Sequence, residues 1–220
     1  MPGIHRRLSV IQMRLSNLLG KIGLRLTFFV GCSGRPGTIR PADVDAAAAA
    51  QKAIELYDKS GDGQLAKDEW SSSPALSAVA TNYDKNGDGT LLEDEVASGI
   101  DAWKQSGVGA RVVPFTVQWN GRRLVGAKVL LVPAPFLDDV LKPANGEAGP
   151  GGAGQLGLAP EDRPRNAPNI PLMQPGLYHV EITHPSTKIP AKYNTSTTLG
   201  IEITSGNPGP DGIVWALSSK

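Results

Sequence analysis

The chain has 220 residues, enough for two small domains, and its 22 Lys and Arg against 21 Asp and Glu give a net charge of +1. This balance argues against a nucleic-acid-binding body, and the single cysteine excludes an internal disulfide. The charge is uneven, because residues 1–31 hold five basic and no acidic side chains, which leaves the remainder of the chain at −4.

The first 31 residues have the composition of a signal or leader peptide. Arg and Lys are followed by the apolar run 26–30, then by Gly31 and Cys32. This arrangement resembles the signal of bacterial lipoproteins, in which the matching cysteine becomes the lipidated first residue after cleavage. The resemblance implies that Cys32 is lipidated and that the lipid anchors the protein to a membrane of the cell envelope, on the extracytoplasmic side. The alternatives are another cleaved leader, with secretion, and an unprocessed chain in which Cys32 is a buried thiol.

A Gly- and Pro-rich segment, 32–41, is predicted to be a flexible tether. The alanine-rich run that follows predicts a helix over 41–57, with Asp43 or Asp45 as its N-cap. Three more helices are predicted over 66–72, 74–83 and 92–105.

Two acidic twelve-residue loops, 58–69 (loop 1) and 84–95 (loop 2), separate these helices. Each has oxygen-bearing side chains at positions 1, 3 and 5, glycine at 6, an apolar residue at 8 and glutamate at 12, the spacing of an EF-hand calcium loop. Ca²⁺ takes six to eight oxygen ligands, and position 7 supplies a backbone carbonyl. We therefore expect two Ca²⁺ ions. The predicted ligands are Asp58, Ser60, Asp62, Gln64 and Glu69 in loop 1 and Asp84, Asn86, Asp88, Thr90 and Glu95 in loop 2.

Helix, loop and helix occur twice, which predicts a paired EF-hand domain over 42–107. The loops start only 26 residues apart, so the linker is short, as in many bacterial EF-hand pairs. Dockerin modules resemble this arrangement, but Glu69 and Glu95 stand where dockerins often have aspartate. Leu65 and Leu91, both at position 8, are expected to pair as a small two-stranded bridge.

From Arg111 the periodicity changes to the alternation typical of strands. Asn120 and Gly121 predict a tight hairpin, and the segment 144–176 is rich in Gly and Pro and is predicted to be a long loop. The predicted strands are 113–119, 127–132, 155–158, 177–183, 198–204 and 213–217. This number of short strands predicts an antiparallel β-sandwich over 111–220.

The second half also resembles the carboxypeptidase regulatory-like, or transthyretin-like, domains of short bacterial lipoproteins of planctomycete type. The resemblance is carried by the segments 120–129, 175–182 and 189–194 and implies a folding and interaction module rather than a catalyst. The expected fold class is therefore α+β multidomain, an N-terminal all-α EF-hand pair followed by an antiparallel, transthyretin-like β-sandwich.

The sequence offers no convincing active site. No Gly-x-Ser-x-Gly nucleophile motif occurs, and His179 and His184, the histidines outside the leader, lack the cysteine partners of a zinc site. We expect a non-catalytic, calcium-binding envelope lipoprotein whose β domain binds an unknown protein or glycan. A calcium-responsive sensor is one alternative. The other is a carbohydrate-binding accessory to a secreted enzyme, with Trp119 and Trp215 as the aromatic candidates.

Overall fold

The computed structural model describes residues 39–219. The predicted leader, Cys32 and most of the predicted tether lie outside the described residues. Within residues 39–219, no helix is both long enough and apolar enough to cross a membrane. The helices are α1 (Ala46–Tyr57), α2 (Lys67–Trp70), α3 (Pro74–Ser77), α4 (Ala80–Tyr83) and α5 (Glu93–Gln105). The strands are β1 (Gln64–Leu65), β2 (Leu91–Leu92), β3 (Val113–Trp119), β4 (Arg122–Arg123), β5 (Lys128–Pro133), β6 (Ala144–Glu147), β7 (Ala153–Leu158), β8 (Gly176–Thr183), β9 (Gly200–Ile203) and β10 (Ile213–Leu217).

One curled sheet dominates the described part of the chain. Its strand order is β10-β3-β7-β6-β5-β8-β9, and the short strand β4 is attached to β3. Neighbouring strands are antiparallel except β10 and β3, which run parallel. The sheet bends into a half-barrel whose interior holds the large buried side chains Phe115, Leu131 and Tyr178.

The predicted fold class is wrong. The described residues are mostly β, and three of the five helices are only four residues long. They do not form an all-α EF-hand pair that precedes a separate sandwich. The physical reason is the size of the core, because the short helices have too little apolar surface to bury among themselves. Their buried residues instead join those of the sheet in one hydrophobic cluster.

The sandwich prediction fails because the first part of the predicted loop, residues 144–158, is not a loop. It forms β6 and β7, which pair with β5 and β3 and so close one continuous sheet in place of two facing sheets. Glycine is required here by the aromatic ring of Phe115. A β-carbon at Gly146 or at Gly154 would lie 2.6 Å from ring atoms of Phe115, so only bare backbone allows the ring to lie across both strands.

The helices cover one end of the outer face of this sheet. Helix α3 packs on β8 and β9 so closely that a β-carbon at Gly200 would overlap the carbonyl oxygen of Pro74. Helix α1 reaches the segment after β5, where the rings of Tyr57 and Phe136 meet edge to face with centroids 6.4 Å apart. The acidic loops between the helices are thereby fixed relative to the sheet.

Candidate metal centre

Loops 1 and 2 have the same backbone course. Each connects two helices and contains one strand of the β1–β2 ladder, in which Leu65 pairs with Leu91 as expected. The glycines at positions 4 and 6 have positive φ in both loops, 77° and 82° at Gly61 and Gly63 and 75° and 87° at Gly87 and Gly89. These angles turn the chain tightly around the side chain at position 1, a conformation that other residues adopt with strain.

The carboxylate at position 1 of loop 1 lies at the centre of this turn. Oδ1 of Asp58 accepts the N–H of Gly61 at 2.6 Å, and Oδ2 accepts the N–H of Gly63 at 2.9 Å. The hydroxyl of Ser60 donates to Oδ1 at 3.2 Å. The N–H groups of Gly63 and Gly61 together hold the pKa of Asp58 below its ordinary value, so this side chain is an anion at neutral pH.

The glutamate at position 12 closes loop 1 from the other side. Oε1 of Glu69 accepts the N–H groups of Lys59 and Ser60, each at 2.8 Å, and Oε2 accepts the N–H of Ala66 at 2.8 Å. Glu69 is only 3% exposed, and a buried carboxylate needs such donors to remain charged. The hydrogen bonds from Ala66 and Ser60 lower the pKa of Glu69.

Loop 2 repeats this arrangement. Asp84 accepts the N–H groups of positions 4 and 6 at 2.7 and 2.9 Å. Glu95, which is 6% exposed, accepts those of positions 2, 3 and 9 at 2.8, 3.3 and 3.1 Å. The donors come from the same loop positions as in loop 1. In both loops, the same set of backbone N–H groups, which we call the cradle, therefore holds the carboxylates of positions 1 and 12.

The remaining predicted ligands lie along the outer part of each loop. In loop 1, Asp62 accepts the N–H of Gln64 at 3.0 Å. In loop 2, the amide oxygen of Asn86 accepts the N–H of Asp88 at 2.8 Å, and Asp88 accepts the hydroxyl of Thr90 at 2.7 Å. The hydroxyl and the N–H of Thr90 lower the pKa of Asp88.

The two loops contact each other at two places besides the leucine ladder. The indole N–H of Trp70, in the helix that leaves loop 1, lies 3.3 Å from the carbonyl oxygen of Gly89 in loop 2. The hydroxyl of Thr90 lies 3.1 Å from Oε1 of Gln64, so the two position-7 residues are neighbours. A change of shape in one loop therefore acts on the other.

No group of three or more His, Cys, Asp or Glu side chains is gathered into a metal-type cluster within residues 39–219. Each carboxylate is instead held by the N–H groups of its own loop. The donor set of each loop is nevertheless made of hard oxygens, which suits Ca²⁺ and not softer metals that prefer sulfur or imidazole.

A carboxylate of the sheet connects to the helices on either side of loop 2. The hydroxyl of Tyr83, at the end of α4, donates to Oε1 of Glu202 at 2.8 Å. The indole N–H of Trp103, in α5, donates to the same oxygen at 2.9 Å. Tyr83 and Trp103 are each 4% exposed, so both donors depend on Glu202 for a partner. Burial beside the Glu202 carboxylate raises the pKa of Tyr83, which therefore stays protonated and donates.

His179 and His184 have different surroundings. Nδ1 of His184 accepts the N–H groups of Ser186 and Thr187 in a turn, and Nε2 lies 2.9 Å from the carbonyl oxygen of Val125. The ring of His179 is half-buried, and burial lowers its pKa. Nε2 of His179 is buried and finds no hydrogen-bond partner among the described residues.

Several residues of this centre were not predicted from the sequence. Both loops have glycine at position 4, Gly61 and Gly87, and this repetition could have predicted a positive φ there in addition to the one at position 6. Trp70 and Glu202 gave no signal, because each acts on a partner that is distant in sequence.

Comparison with known proteins gives no match, since no family model, curated protein or solved structure is significantly similar to this chain. Function is therefore inferred from the loops themselves.

Proposed function

We propose that the protein binds two Ca²⁺ ions, one in each acidic loop. The observation that carries the proposal is the repetition of one hydrogen-bond arrangement around the carboxylates of positions 1 and 12 in both loops. Hydrogen bonds from backbone N–H groups keep such carboxylates ionised and fix the orientation of their oxygens. A cation site requires both. Ca²⁺ would supply the charge that draws the mutually repelling carboxylates of each loop toward one point.

The ligands follow from loop position. Loop 1 would use the side chains of Asp58, Ser60, Asp62 and Glu69 with the carbonyl of Gln64. Loop 2 would use those of Asp84, Asn86, Asp88 and Glu95 with the carbonyl of Thr90. Ala66 and Leu92, at position 9, have no ligating side chain, so a water molecule is expected to take that place.

Two substitutions and a matched control test this proposal. Isothermal titration of the full-length chain in a non-ionic detergent should show two sites, which are lost in Glu69→Gln combined with Glu95→Gln. The control is Asp68→Asn with Asp94→Asn, which changes exposed position-11 residues of the same loops. A zero stoichiometry in the unmodified chain would refute calcium binding, and equal losses in both double variants would show that only net charge matters.

Terbium luminescence gives an independent readout. Tb³⁺ prefers the same oxygen ligands as Ca²⁺, and Trp70 lies against loop 2 through its contact with Gly89. Excitation of tryptophan should therefore sensitise bound Tb³⁺, and added Ca²⁺ should displace it. Trp70→Phe should lower the signal without changing the calcium stoichiometry.

We further propose that the protein is held in the cell envelope by a lipid on Cys32, and that it has no catalytic role. Two or three acyl chains on one cysteine suffice for stable attachment, whereas a single chain is marginal. Cys32→Ser should move the protein from the membrane fraction to the soluble fraction, and mass spectrometry of the mature N-terminus should find the lipid. A Cys32→Ser variant that stays with the membrane would contradict this anchor.

The curled sheet is proposed to act as the interaction module of the protein. The large aromatic side chains that could stack on a sugar ring are not freely exposed, because Trp215 is 7% exposed and Trp119 is half-buried. This observation disfavours aromatic stacking on a neutral carbohydrate and directs attention to charged surfaces of the sheet.

A further inference from the structure

The curled sheet has two edges, which are formed by the strands β9 and β10. An edge strand presents a row of backbone N–H and C=O groups that can pair with another strand, and natural proteins usually block such a row. The hydrogen bonds of the two strands show that β9 is blocked and that β10 is open.

A turn of the chain occupies the edge formed by β9. The C=O of Leu199 accepts a hydrogen bond from β8, so Leu199 faces β8. Because alternate residues of a strand face alternate sides, the backbone groups of Gly200, Glu202 and Thr204 face outward. Helix α3 covers Gly200. The C=O of Glu202 accepts the side-chain N–H of Asn207 at 2.7 Å, and the N–H of Thr204 donates to the C=O of Asn207 at 2.8 Å.

The edge formed by β10 has no such cover among residues 39–219. The C=O of Leu217 accepts the N–H of Asn120 at 2.9 Å, so Leu217 faces β3. By the same alternation, the backbone groups of Val214 and Ala216 face away from β3. Val214 is 58% exposed and Ala216 is also exposed. Within residues 39–219, the N–H and C=O groups of these two residues have no hydrogen-bond partner, and we call them the open edge.

The composition of β10 does not protect it either. Lysine, proline and other charged residues are the usual means of preventing pairing at an edge, and Ile213–Leu217 contains none of them. An apolar edge of this kind accepts a further strand through main-chain hydrogen bonds. The open edge is therefore a site for pairing with a strand from another chain.

The open edge is short, because the N–H groups beyond it already have partners. The N–H of Ser218 lies 3.3 Å from the hydroxyl of Tyr193. The N–H of Gly212 donates to the C=O of Gly209 at 3.0 Å. The groups that can pair are thus limited to residues 214–216, and a long foreign strand would find no further N–H group of β10 to bond.

A second copy of β10 fits this short edge when the two strands run antiparallel about a twofold axis at Trp215. Val214 of each copy then lies opposite Ala216 of the other, and each pair exchanges two N–H···O=C bonds. Every group of the open edge is satisfied on both copies at once, which is the self-complementarity that a twofold interface requires. The side chains of Val214 and Ala216 lie on one face of the sheet and contact each other across the axis.

The charges at the two ends of β10 favour the same pairing. Asp211, which is exposed before the strand, comes opposite Ser219 of the second copy. The neighbouring Ser218 contacts Tyr193, and the amine of Lys192 lies over the ring of Tyr193, 5.0 Å from its centroid. The antiparallel pair therefore brings an acidic end of one copy toward a basic end of the other, and does so twice.

We propose that the protein forms a dimer through the open edge, in which two β10 strands pair antiparallel and join two sheets into one. The contact is smaller than the ~1,600 Å² of a standard interface, so the dimer is weak, with a Kd of about 10⁻⁵–10⁻⁴ M. The pairing requires neither calcium nor a lipid on Cys32.

Cysteine cross-linking of the full-length chain tests the register, with chelator and non-ionic detergent present and Cys32→Ser in every variant. A mixture of Val214→Cys and Ala216→Cys chains should form a disulfide dimer, because residues of a hydrogen-bonded pair have Cα atoms about 5.5 Å apart. Either variant alone should cross-link about 5-fold more slowly, because its identical cysteines lie on a diagonal, roughly 7–8 Å apart. Leu56→Cys, at a 48% exposed position of α1, mixed with Ala216→Cys is the control for random collision.

Sedimentation equilibrium of the full-length chain in density-matched detergent measures the affinity. Val214→Lys places a charge on the open edge and should weaken the dimer about 10-fold or more. Ala216→Pro removes an outward N–H that the ladder with β3 does not use, so the chain still folds and the dimer weakens about 30-fold from two lost bonds. Val125→Lys makes the same change at a 54% exposed site outside β10 and should keep the affinity of the unmodified chain.

Three outcomes would overturn the proposal. The first is a chain that stays monomeric at ten times the expected Kd of ~10⁻⁴ M. The second is equal affinity of the Val214→Lys and Val125→Lys chains, which would place the contact elsewhere. The third is a cross-linking rate of the mixture no higher than that of either cysteine variant alone, which would exclude the register. Loss of calcium binding in the loop variants would leave all three measurements unaffected, so the two proposals fail separately.

Discussion

Loops 1 and 2 hold their first and last carboxylates in the same way but are attached to the sheet by different forces. On the side of loop 1, Tyr57 touches Phe136 through an apolar edge contact, and the exposed Lys52 pairs with Asp138 and Asp139. On the side of loop 2, Tyr83 and Trp103 both donate to one oxygen of Glu202. Apolar contacts and exposed ion pairs constrain direction weakly, whereas two buried hydrogen bonds to one charged atom fix direction and distance. Loop 2 is therefore the loop whose shape is tied to the sheet.

The loops also differ at position 3. Loop 1 has Ser60, whose hydroxyl donates to Asp58, and loop 2 has Asn86, whose amide oxygen is a ready ligand. Loop 2 carries five carboxylates against one lysine, and loop 1 carries four against two. Each loop has three carboxylate ligands, so the two sites differ in the charge around the ligands, and the total charge of −4 in loop 2 attracts a cation more strongly than the −2 of loop 1. We therefore expect loop 2 to be the tighter site.

The largest expected effect is stabilisation of the whole protein by calcium. At a hundred times Kd each site adds about 2.7 kcal/mol to the free energy of unfolding, so two sites add about 5 kcal/mol. Because helices and sheet share one hydrophobic cluster, scanning calorimetry should show a single transition that moves with Ca²⁺. At a fixed Ca²⁺ concentration, Glu95→Gln should remove more than half of this gain and leave the weaker site, while Asp94→Asn should keep both. Two transitions, of which only one responds to calcium, would show that the helices and the sheet unfold separately.

The leucine ladder should respond symmetrically. Leu65 and Leu91 are both 0% exposed and pair with each other, so Leu65→Ala and Leu91→Ala should each cost about 2–5 kcal/mol of stability. The two costs should agree within about 1 kcal/mol, since both truncations empty the same contact. Leu56→Ala, at a 48% exposed position of α1, is the control and should have little effect in urea unfolding. A much larger cost at one leucine would mean that the loops do not form a symmetric pair.

Substitution of Glu202 should change the calcium affinity of loop 2 but not that of loop 1. Glu202→Ala leaves two buried donors without a partner, at a cost of about 2–4 kcal/mol, whereas Glu202→Gln keeps an acceptor and should cost under about 1.5 kcal/mol. In a Glu69→Gln background, where only loop 2 binds, Glu202→Ala should weaken calcium binding by about 10-fold or more, as for groups that orient ligands from behind. In a Glu95→Gln background, the same substitution should leave the affinity of loop 1 unchanged. Equal losses at both loops would contradict the separate attachment of loop 2.

The strands that sequence analysis located were those with strong alternation. The predicted 177–183 is close to the observed Gly176–Thr183, and the predicted 113–119 matches Val113–Trp119. Strand β6 was missed because Ala144–Glu147 contains no β-branched or aromatic residue; its conformation comes from pairing on both sides. Local sequence cannot report such pairing, and the error in fold class follows from it.

The loop geometry was more predictable than the surroundings of the loops. Spacing alone identified ten candidate ligands, since the cradle is built from residues within twelve positions of each other. Glu202 lies 119 residues from Tyr83 and 99 from Trp103, so only the folded chain brings them together. Whether the ten residues bind Ca²⁺ stays a prediction.

The smallest expected effect concerns the acid side of the pH range and compares two substitutions at one position of loop 2. Hydrogen bonds lower the pKa of Asp88 in the folded protein, with the hydroxyl of Thr90 as the largest cause. A folded-state pKa below the ordinary value of 3.8 means that the stability from these bonds is present above pH 3.8 and is lost as pH falls through the folded value. Thr90→Val removes the hydroxyl but keeps the N–H, so the pKa of Asp88 should rise toward 3.8 and the loss should begin at higher pH. Thr90→Ser keeps the hydroxyl and should titrate like the unmodified chain.

Carboxyl chemical shifts followed by NMR in chelator, from pH 7 to pH 2.5, measure the pKa of Asp88 directly. If Thr90→Val and Thr90→Ser titrate identically, the hydroxyl of Thr90 does not hold Asp88 in its charged form, and the outer part of loop 2 is no better prepared for a cation than that of loop 1.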